Sequence, residues 1–364
     1  MDSLTQAVLG GAIQGALLGK VQGRRSLLYG AALATLPDLD VMIRYADPVS
    51  SMTYHRGFSH SLFVLSGLAL LLTWLTLLVV RRRRPDAGYS GPRLFLTLWL
   101  VLITHPLLDA FTVYGTQLFW PLQPVPQSWA AVFIIDPLYT VPLLLGVLYA
   151  AFKGFAGRAT LLLGGLLLAS TAYLGFGLLS KNLAEQRFHA ALRAQQIDVT
   201  QLRAVPMPFN TLLWRVIAKT PDGHYYEGVS GLFDDDPSEW LRQPLNLDAA
   251  KVLEGSPLYE RLRWFTGDWL RYDVVGDALV VTDLRMGIPG NYTFRFRMAG
   301  CDGQGRWQAE MPARWPGTGV DSMRDSEALT LIMTRIFQQR PGLPLEAWST
   351  RYLGSDATAG GCAD

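Results

Sequence analysis

The sequence predicts an α-helical integral membrane bundle of about six segments, followed by a soluble, strand-rich α+β domain. Only 17% of the 364 residues are charged and 50% are hydrophobic, whereas about 25% of the residues in a typical soluble domain are charged. The charge is also uneven, because residues 1–180 contain no Glu and seven Asp, and residues 181–364 hold the other 23 acidic residues. A lipid-soluble part therefore precedes a water-soluble part.

Four runs in the first part are long enough to cross a bilayer, which takes about 20 predominantly apolar residues. They are residues 61–80, 94–115, 130–152 and 159–180. Two weaker segments precede them, residues 4–19 and 26–36. Gly11, Gly15 and Gly19 let the first of these helices approach its neighbours closely, so we expect both segments inside the bundle, the second as little more than a half-span.

The distribution of Lys and Arg predicts the orientation in the membrane. The connections after the first, third and fifth segments carry ten basic residues and one acidic residue, whereas the opposite connections offer only Arg44 and Arg56. By the positive-inside rule, the first set is cytoplasmic. We therefore expect an integral protein of the bacterial inner membrane, in contact with membrane lipid, with its C-terminal domain outside the cytoplasm.

The second part is predicted to start with an amphipathic linker helix at residues 181–198, and residues 199–364 form the soluble domain of short strands and turns. A helix is expected at residues 321–339. Cys301 and Cys362 can pair as a disulfide if this domain lies outside the cytoplasm. A basic stripe interleaved with aromatic residues is absent from the sequence, which argues against a nucleic-acid partner, and protein partners stay unassigned.

Ionisable residues of the membrane part gather at the predicted outer face. His105 and Asp109 are spaced i, i+4 and share one helical face, and Asp38 and Asp40 share a face if the chain is extended after Pro37. His55 and His60 complete a mixed nitrogen and oxygen donor set that suits zinc or manganese, with enough donors for one or two ions. These six residues are the predicted metal ligands.

Simpler interpretations exist for several carboxylates. Asp136 precedes Pro137 and is typical of a helix N-cap. Asp2 is compatible with an exposed terminal residue, and Asp38 and Asp40 with a loop cap. The three histidines and Asp109 are harder to explain as structural polar residues, because three of the five histidines of the chain fall in one predicted patch.

Residues 1–180 resemble the YdjM-type family of membrane-bound metal-dependent hydrolases. The resemblance rests on Pro37-Asp38-Leu39-Asp40, the run from His55 to Ser61, and His105, Asp109, Thr112 and Gly115. Where the family often has His in the first helix, this chain has Gln6, so either one ligand is missing or Asp2 substitutes for it. The resemblance implies hydrolysis, and a weaker likeness of the H-x-x-x-D helix to zinc phospholipase C and P1-type nucleases suggests phosphoester chemistry.

These observations predict a metal-dependent hydrolase that acts on a lipid or lipid-linked phosphoester at the outer leaflet. Arg56 is expected to stabilise charge on the substrate, beside Asp38 and Asp109 as catalytic residues. Ser59 and Thr112 are expected to orient ligands, and Asp2, Gln6 and Asp136 are additional candidates. The alternatives are an ion- or proton-coupled transporter that uses His105, Asp109 and Asp136, and a non-catalytic assembly protein with a structural metal.

Overall fold

The computed structural model describes residues 1–83, 88–155, 157–235, 239–288, 290–302, 304–315, 326–340 and 342–353. The chain forms two compact units. The first comprises Met1–Arg44, Tyr54–Trp129 and Ile134–Phe176, and the second comprises Tyr45–Thr53, Ala130–Phe133 and the chain from Gly177 onward.

The first unit is helical. Its helices, with the short α3 that lies mostly in the second unit, are α1 (Ser3–Gln22), α2 (Arg25–Ala34), α3 (Pro48–Tyr54), α4 (Leu62–Arg83), α5 (Gly91–Ala110), α6 (Pro137–Lys153) and α7 (Ala159–Ala194). Two short 3₁₀ turns, Pro37–Met42 and Phe58–His60, precede α3 and α4. Helix α7 has 36 residues and contributes to both units, so residues 181–194 continue a longer helix and do not start a separate one.

Three helices of the described chain are long and apolar enough to cross a membrane, namely α4, α5 and α7, with mean hydropathies of 2.5, 1.4 and 1.8. The six predicted segments are therefore not supported. Helix α1 carries Gln6 and Gln14, helix α2 has ten residues, and α6 has 17 because Asp136 and Pro137 start it seven residues later than the predicted run from residue 130. Ten helical residues rise only about 15 Å, roughly half of the hydrocarbon core.

Small residues allow α1 and α2 to pack backbone against backbone, and besides the predicted Gly11, which approaches the Leu27 carbonyl, the closest approach is made by Gly10 and Gly30. A Cβ atom on Gly30 would overlap the Gly10 carbonyl and lie 2.8 Å from Gln14 Cβ. Helix α5 is the most buried of the three long apolar helices. In its apolar stretch of 18 residues, 61% of the residues are buried, against 17% in the corresponding stretches of α4 and α7. Polar side chains on α5 are consequently held in the interior of the first unit.

The second unit contains two antiparallel four-stranded sheets. Its strands are β1 (Gln201–Pro206), β2 (Leu213–Lys219), β3 (His224–Gly231), β4 (Glu239–Pro244), β5 (Leu270–Val275), β6 (Ala278–Asp283), β7 (Gly287–Ile288), β8 (Asn291–Tyr292), β9 (Arg295–Cys301) and β10 (Trp307–Arg314). The first sheet has the order β1-β2-β3-β4, the second has the order β10-β9-β6-β5, and β7 pairs with β8. The helices are α8 (Pro257–Thr266), α9 (Ser326–Arg335) and α10 (Leu345–Leu353).

The core of the second unit is rich in aromatic residues. Phe188 of α7 is fully buried against Trp214 of β2 and meets the Trp240 ring edge-to-face at 5.8 Å. The strand-rich α+β domain is therefore observed as the composition predicts. Of the helix predicted at residues 321–339, the structure shows Ser326–Arg335, and residues 321–325 lie outside the described residues. The proposed pairing of Cys301 with Cys362 also falls outside them, because Cys362 is not described.

Candidate metal site

Four of the six predicted ligands meet in the first unit. Asp38 lies in the turn that follows α2, His60 lies in the turn that precedes α4, and His105 and Asp109 lie one helical turn apart on α5. One ligand atom from each residue can be chosen so that all four lie within 4.8 Å of one another. Residues far apart in the chain thus converge on a space that can hold a metal ion.

The imidazole Nε2 atoms point at one another and at the carboxylates. His105 Nε2 lies 3.2 Å from His60 Nε2 and 3.3 Å from Asp38 Oδ1. His60 Nε2 in turn lies 3.3 Å from Asp109 Oδ2. The geometry combines two nitrogen and two oxygen donors, a set that zinc and manganese both accept.

Hydrogen bonds fix which nitrogen of each ring faces the cluster. His105 Nδ1 donates to the Ala34 carbonyl at 2.6 Å. The Ser59 hydroxyl donates to Asp40 Oδ2 at 2.8 Å, so its oxygen is free to accept from His60 Nδ1 at 2.9 Å. With Nδ1 protonated, each neutral ring turns an Nε2 lone pair inward, and two such lone pairs at 3.2 Å repel each other unless a cation lies between them.

Asp109 is fully buried and holds one oxygen toward the cluster. Its Oδ1 accepts from Gln6 Nε2 at 3.1 Å and from the amino group of Met1. Within the described chain its Oδ2 accepts no hydrogen bond, although Arg56 Nε lies 3.1 Å away. The ion pair with Arg56 neutralises part of the carboxylate charge, and the oxygen also lies 3.3 Å from His60 Nε2, so it faces the space where a cation would be coordinated. The donor set and this oxygen therefore fit a divalent ion.

The charges around the two turns favour a cation. Burial would raise the pKa of Asp38, but when His105 and His60 carry a proton on Nε2 instead of an inward lone pair, their hydrogen bonds outweigh burial and hold that pKa well below its usual range. Burial opposes ionisation of His60, but Asp109 and Asp38 outweigh it and raise the pKa of the imidazole. A proton and a metal ion would therefore compete for the same nitrogen.

Asp40 and His55 lie behind the cluster and are not among its four members. The prediction that Asp38 and Asp40 share a face assumed an extended chain. The structure has a 3₁₀ turn there, with about three residues per turn, so residues two apart point in different directions. Asp40 instead accepts from His55 Nδ1 and from the backbone N–H of Arg56, both at 2.9 Å, besides Ser59.

Arg56 is buried beside Asp109 and is held in an uncommon backbone conformation. Its φ is 60°, in the left-handed region that a non-glycine residue rarely adopts. Its guanidinium stacks over the Tyr114 ring at 5.0 Å, and its Nη1 donates to Thr112 Oγ1 at 3.4 Å. Thr112 thus contacts Arg56, and its own hydroxyl donates to the backbone carbonyl of Asp109 at 2.7 Å. Tyr114 is a contact that the sequence analysis missed, although it lies inside the motif between Thr112 and Gly115.

Asp136, Asp2 and Gln6 lie outside the four-residue cluster. Asp136 caps α6 by accepting from the N–H groups of Leu138 and Tyr139, and it also accepts from the Tyr173 hydroxyl. Asp2 caps α1 in the same way. Gln6 Nε2 donates to Asp109 Oδ1 at 3.1 Å, so its side chain contacts one of the four cluster residues.

The fold and the site define a membrane protein with a buried His and Asp cluster that can hold a metal ion. The chain belongs to the YdjM inner membrane protein family, whose profile matches residues 1–184, more than half of its length. The family membership expected from the motifs is thereby confirmed.

Two curated relatives are similar to part of this chain. YfhP of Bacillus subtilis (strain 168) is 29% identical over 147 residues, which cover 37% of this chain and 41% of YfhP. The inner membrane protein YbcI of Escherichia coli (strain K12) is 36% identical over 102 residues, which cover 28% of this chain and 55% of YbcI. The chain therefore spans about half the length of the curated relatives it matches. No solved structure matches it.

Proposed function

We propose that this protein is a membrane-embedded, divalent metal-dependent hydrolase that acts on a lipid or lipid-linked phosphoester at the outer face of the membrane. The observation that carries the proposal is the convergence of two imidazole Nε2 atoms on an oxygen of the buried Asp109. Asp38 completes the set, and its side chain is 22% exposed whereas those of the other three residues are fully buried. Substrate would therefore approach from the side of Asp38.

The four donors are sufficient for one ion, held by Asp38, His60, His105 and Asp109. A divalent ion bound there would supply Lewis-acid chemistry, polarising the substrate and lowering the pKa of water. Zinc and manganese are the ions that this nitrogen and oxygen set suits. The family resemblance supports hydrolysis as the reaction.

The chain's own residues would position and neutralise the reacting groups. Arg56 has the planar fork that matches a phosphate oxygen pair, and it lies beside Asp109 at the edge of the cluster. Asp38, the member reached by solvent, is placed to accept a hydrogen bond from the attacking water and so to orient it. Asp40 and Ser59 would hold His60 in the tautomer that presents Nε2.

Orientation in the membrane is the second part of the proposal. The basic residues at the end of α4, Arg81–Arg83, lie at the opposite end of that helix from His60. If basic residues mark the cytoplasmic side, the cluster lies at the outer face of the inner membrane. The C-terminal domain is then extracytoplasmic provided that the 17-residue apolar helix α6 also crosses the membrane between α5 and α7. A periplasm-specific reporter fused after Asp364 should be active, and an active cytoplasmic reporter at that position would contradict the orientation.

The first experiment measures metal per chain by elemental mass spectrometry on detergent-purified protein. We expect about one zinc or manganese ion in the parent, its loss in His105→Ala and Asp109→Ala, and its retention in His224→Ala. His224 is the matched control, because it contacts only Asp222 among the carboxylates of the described chain. A parent that stays metal-free after reloading would refute the metal site.

A screen with phospholipids and lipid-linked phosphoesters in vesicles then tests the reaction. Metal-dependent release of phosphate or headgroup by the parent, and loss of release in Arg56→Lys with metal retained, would support the hydrolase. Full metal occupancy without turnover on these substrates would favour the non-catalytic assembly protein with a structural metal.

A further inference from the structure

The two turns that supply cluster residues also display large apolar side chains on the surface. In the turn Pro37–Met42, Val41 is 72% exposed and Met42 is 76% exposed. In the turn Phe58–His60, Phe58 is 59% exposed. Leu39, between Asp38 and Asp40, is exposed as well. We call Leu39, Val41, Met42 and Phe58 the apolar rim.

The rim is unusual for the mouth of a site open to water. Exposed apolar side chains are common singly, but a grouped set marks an interaction surface. The polar residues of the same turns, Asp38, Asp40 and His60, are turned into the site and its supporting hydrogen bonds. Exposed apolar groups therefore lie on the same turn as Asp38, the one cluster residue whose side chain is partly exposed.

The rim continues into a helix that is apolar enough to cross the membrane. Helix α4 begins four residues after Phe58, and its exposed side chains Phe63, Leu71 and Trp74 extend the apolar surface along the helix. Phe58 also contacts the Trp120 ring edge-to-face at 5.1 Å. Tryptophan is enriched where a membrane protein passes from hydrocarbon to water, which favours lipid as the partner of this surface.

We infer that the apolar rim inserts among the acyl chains of the membrane leaflet that borders the cluster, and that a lipid substrate reaches Asp38 sideways along it. The occupant is the hydrocarbon part of a membrane lipid, so the phosphoester would stay at headgroup level beside the cluster. The insertion stands on the exposed rim alone, whereas its use for substrate entry rests on the proposed function.

Spin labelling in lipid nanodiscs tests the insertion. Met42→Cys and, as a second position, Val41→Cys are labelled, and collisions with oxygen and with a water-soluble nickel chelate are measured. Leu71→Cys on α4 provides the lipid reference, Asp248→Cys provides the water reference, and the unsubstituted chain gives the background from Cys301 and Cys362. Labels at positions 41 and 42 should favour oxygen at least threefold over the label at position 248.

Photo-crosslinking tests which part of the lipid contacts the rim. A phosphatidylcholine with a diazirine in its acyl chain should label residues 37–60, and the same lipid with the diazirine on its headgroup should label them less. Water-like accessibility at both labelled positions would overturn the inference. Metal content is measured separately. Water-like accessibility of the labels with metal still bound would overturn the insertion and leave the proposed function intact. Lipid exposure of the labels in a protein that binds no metal would refute the proposed function alone.

Discussion

The variant Asp40→Asn tests whether Asp40 binds the metal ion itself or only holds the ligand His60 in place. The sequence predicts Asp40 as a ligand, whereas the structure places it behind His60, with one oxygen on His55 and the other on Ser59 and the Arg56 N–H. Asn has the same shape but only one acceptor oxygen, so one set of donors must face an NH₂ group. The variant therefore disturbs the support of His60 and keeps all four cluster residues.

The size of the effect follows from these hydrogen bonds. A hydrogen bond to a charged group is worth about 1.5–3 kcal/mol. Loss of about 2 kcal/mol from the free energy of metal binding corresponds to a Kd weaker by roughly 30-fold, since 1.4 kcal/mol is a factor of ten. This value falls within the roughly 10–100-fold loss typical when a residue that orients a ligand is changed.

Competition with a fluorescent chelator gives the Kd, and elemental mass spectrometry gives the number of ions at saturation. We expect Asp40→Asn to bind the same number of ions as the parent, but more weakly, and Asp38→Asn to lose the ion. Asp47→Asn is the control, because Asp47 is also a buried capping carboxylate, accepting from the Ser50 N–H at 2.8 Å. If Asp40→Asn loses the ion as completely as Asp38→Asn, Asp40 is a ligand and the supporting role is refuted.

Three further predictions concern the scaffold. Gly30→Ala should lower the free energy of unfolding in detergent by about 1–3 kcal/mol, because its Cβ would overlap α1. Gly67→Ala on α4, where a Cβ meets no atom within 4 Å, should change it by under about 1 kcal/mol, and equal losses would refute the packing argument. Asp136→Ala should cost about 0.5–2 kcal/mol without changing bound metal, and a loss of metal would make it a ligand. Phe188→Ala should destabilise the second unit by about 3–5 kcal/mol in thermal unfolding, and a smaller loss would show that the site is not close-packed.

Sequence spacing predicts well which side chains lie together when both belong to one helix. His105 and Asp109 lie on one face of α5 because residues four apart always do so in a helix. Asp38 and His60 also lie in the four-residue cluster. The structure does not bring Asp40 and His55 into it, because the direction of these side chains depends on turn geometry, and composition does not distinguish a 3₁₀ turn after Pro37 from an extended segment.

The membrane segments show the same limit. Runs of apolar residues predict α4, α5 and α7, which satisfy length and hydropathy together. The helix in the segment predicted from residue 130 is shorter than expected, because Asp136 and Pro137 start it at residue 137, and Asp136 is also the residue that the sequence identifies as a typical N-cap. A count of uncharged residues ignores the helix start that Asp136 and Pro137 indicate, whereas the N-cap interpretation of Asp136 is based on it. The capping interpretation was the better guide at this position.

The hydrogen bonds of Asp40 couple the orientation of His60 to the backbone conformation of Arg56. Asp40 accepts from the Ser59 hydroxyl, which orients His60, and also from the Arg56 N–H, which fixes the residue at φ 60°. The same carboxylate therefore links the His60 imidazole, which faces the cluster, to the guanidinium proposed to meet the substrate. Because a left-handed backbone conformation persists only where its surroundings hold it, weakening Asp40 should displace Arg56 as well as His60. Turnover of Asp40→Asn at saturating metal should accordingly stay below that of the parent, and full recovery would show that Asp40 acts through His60 alone.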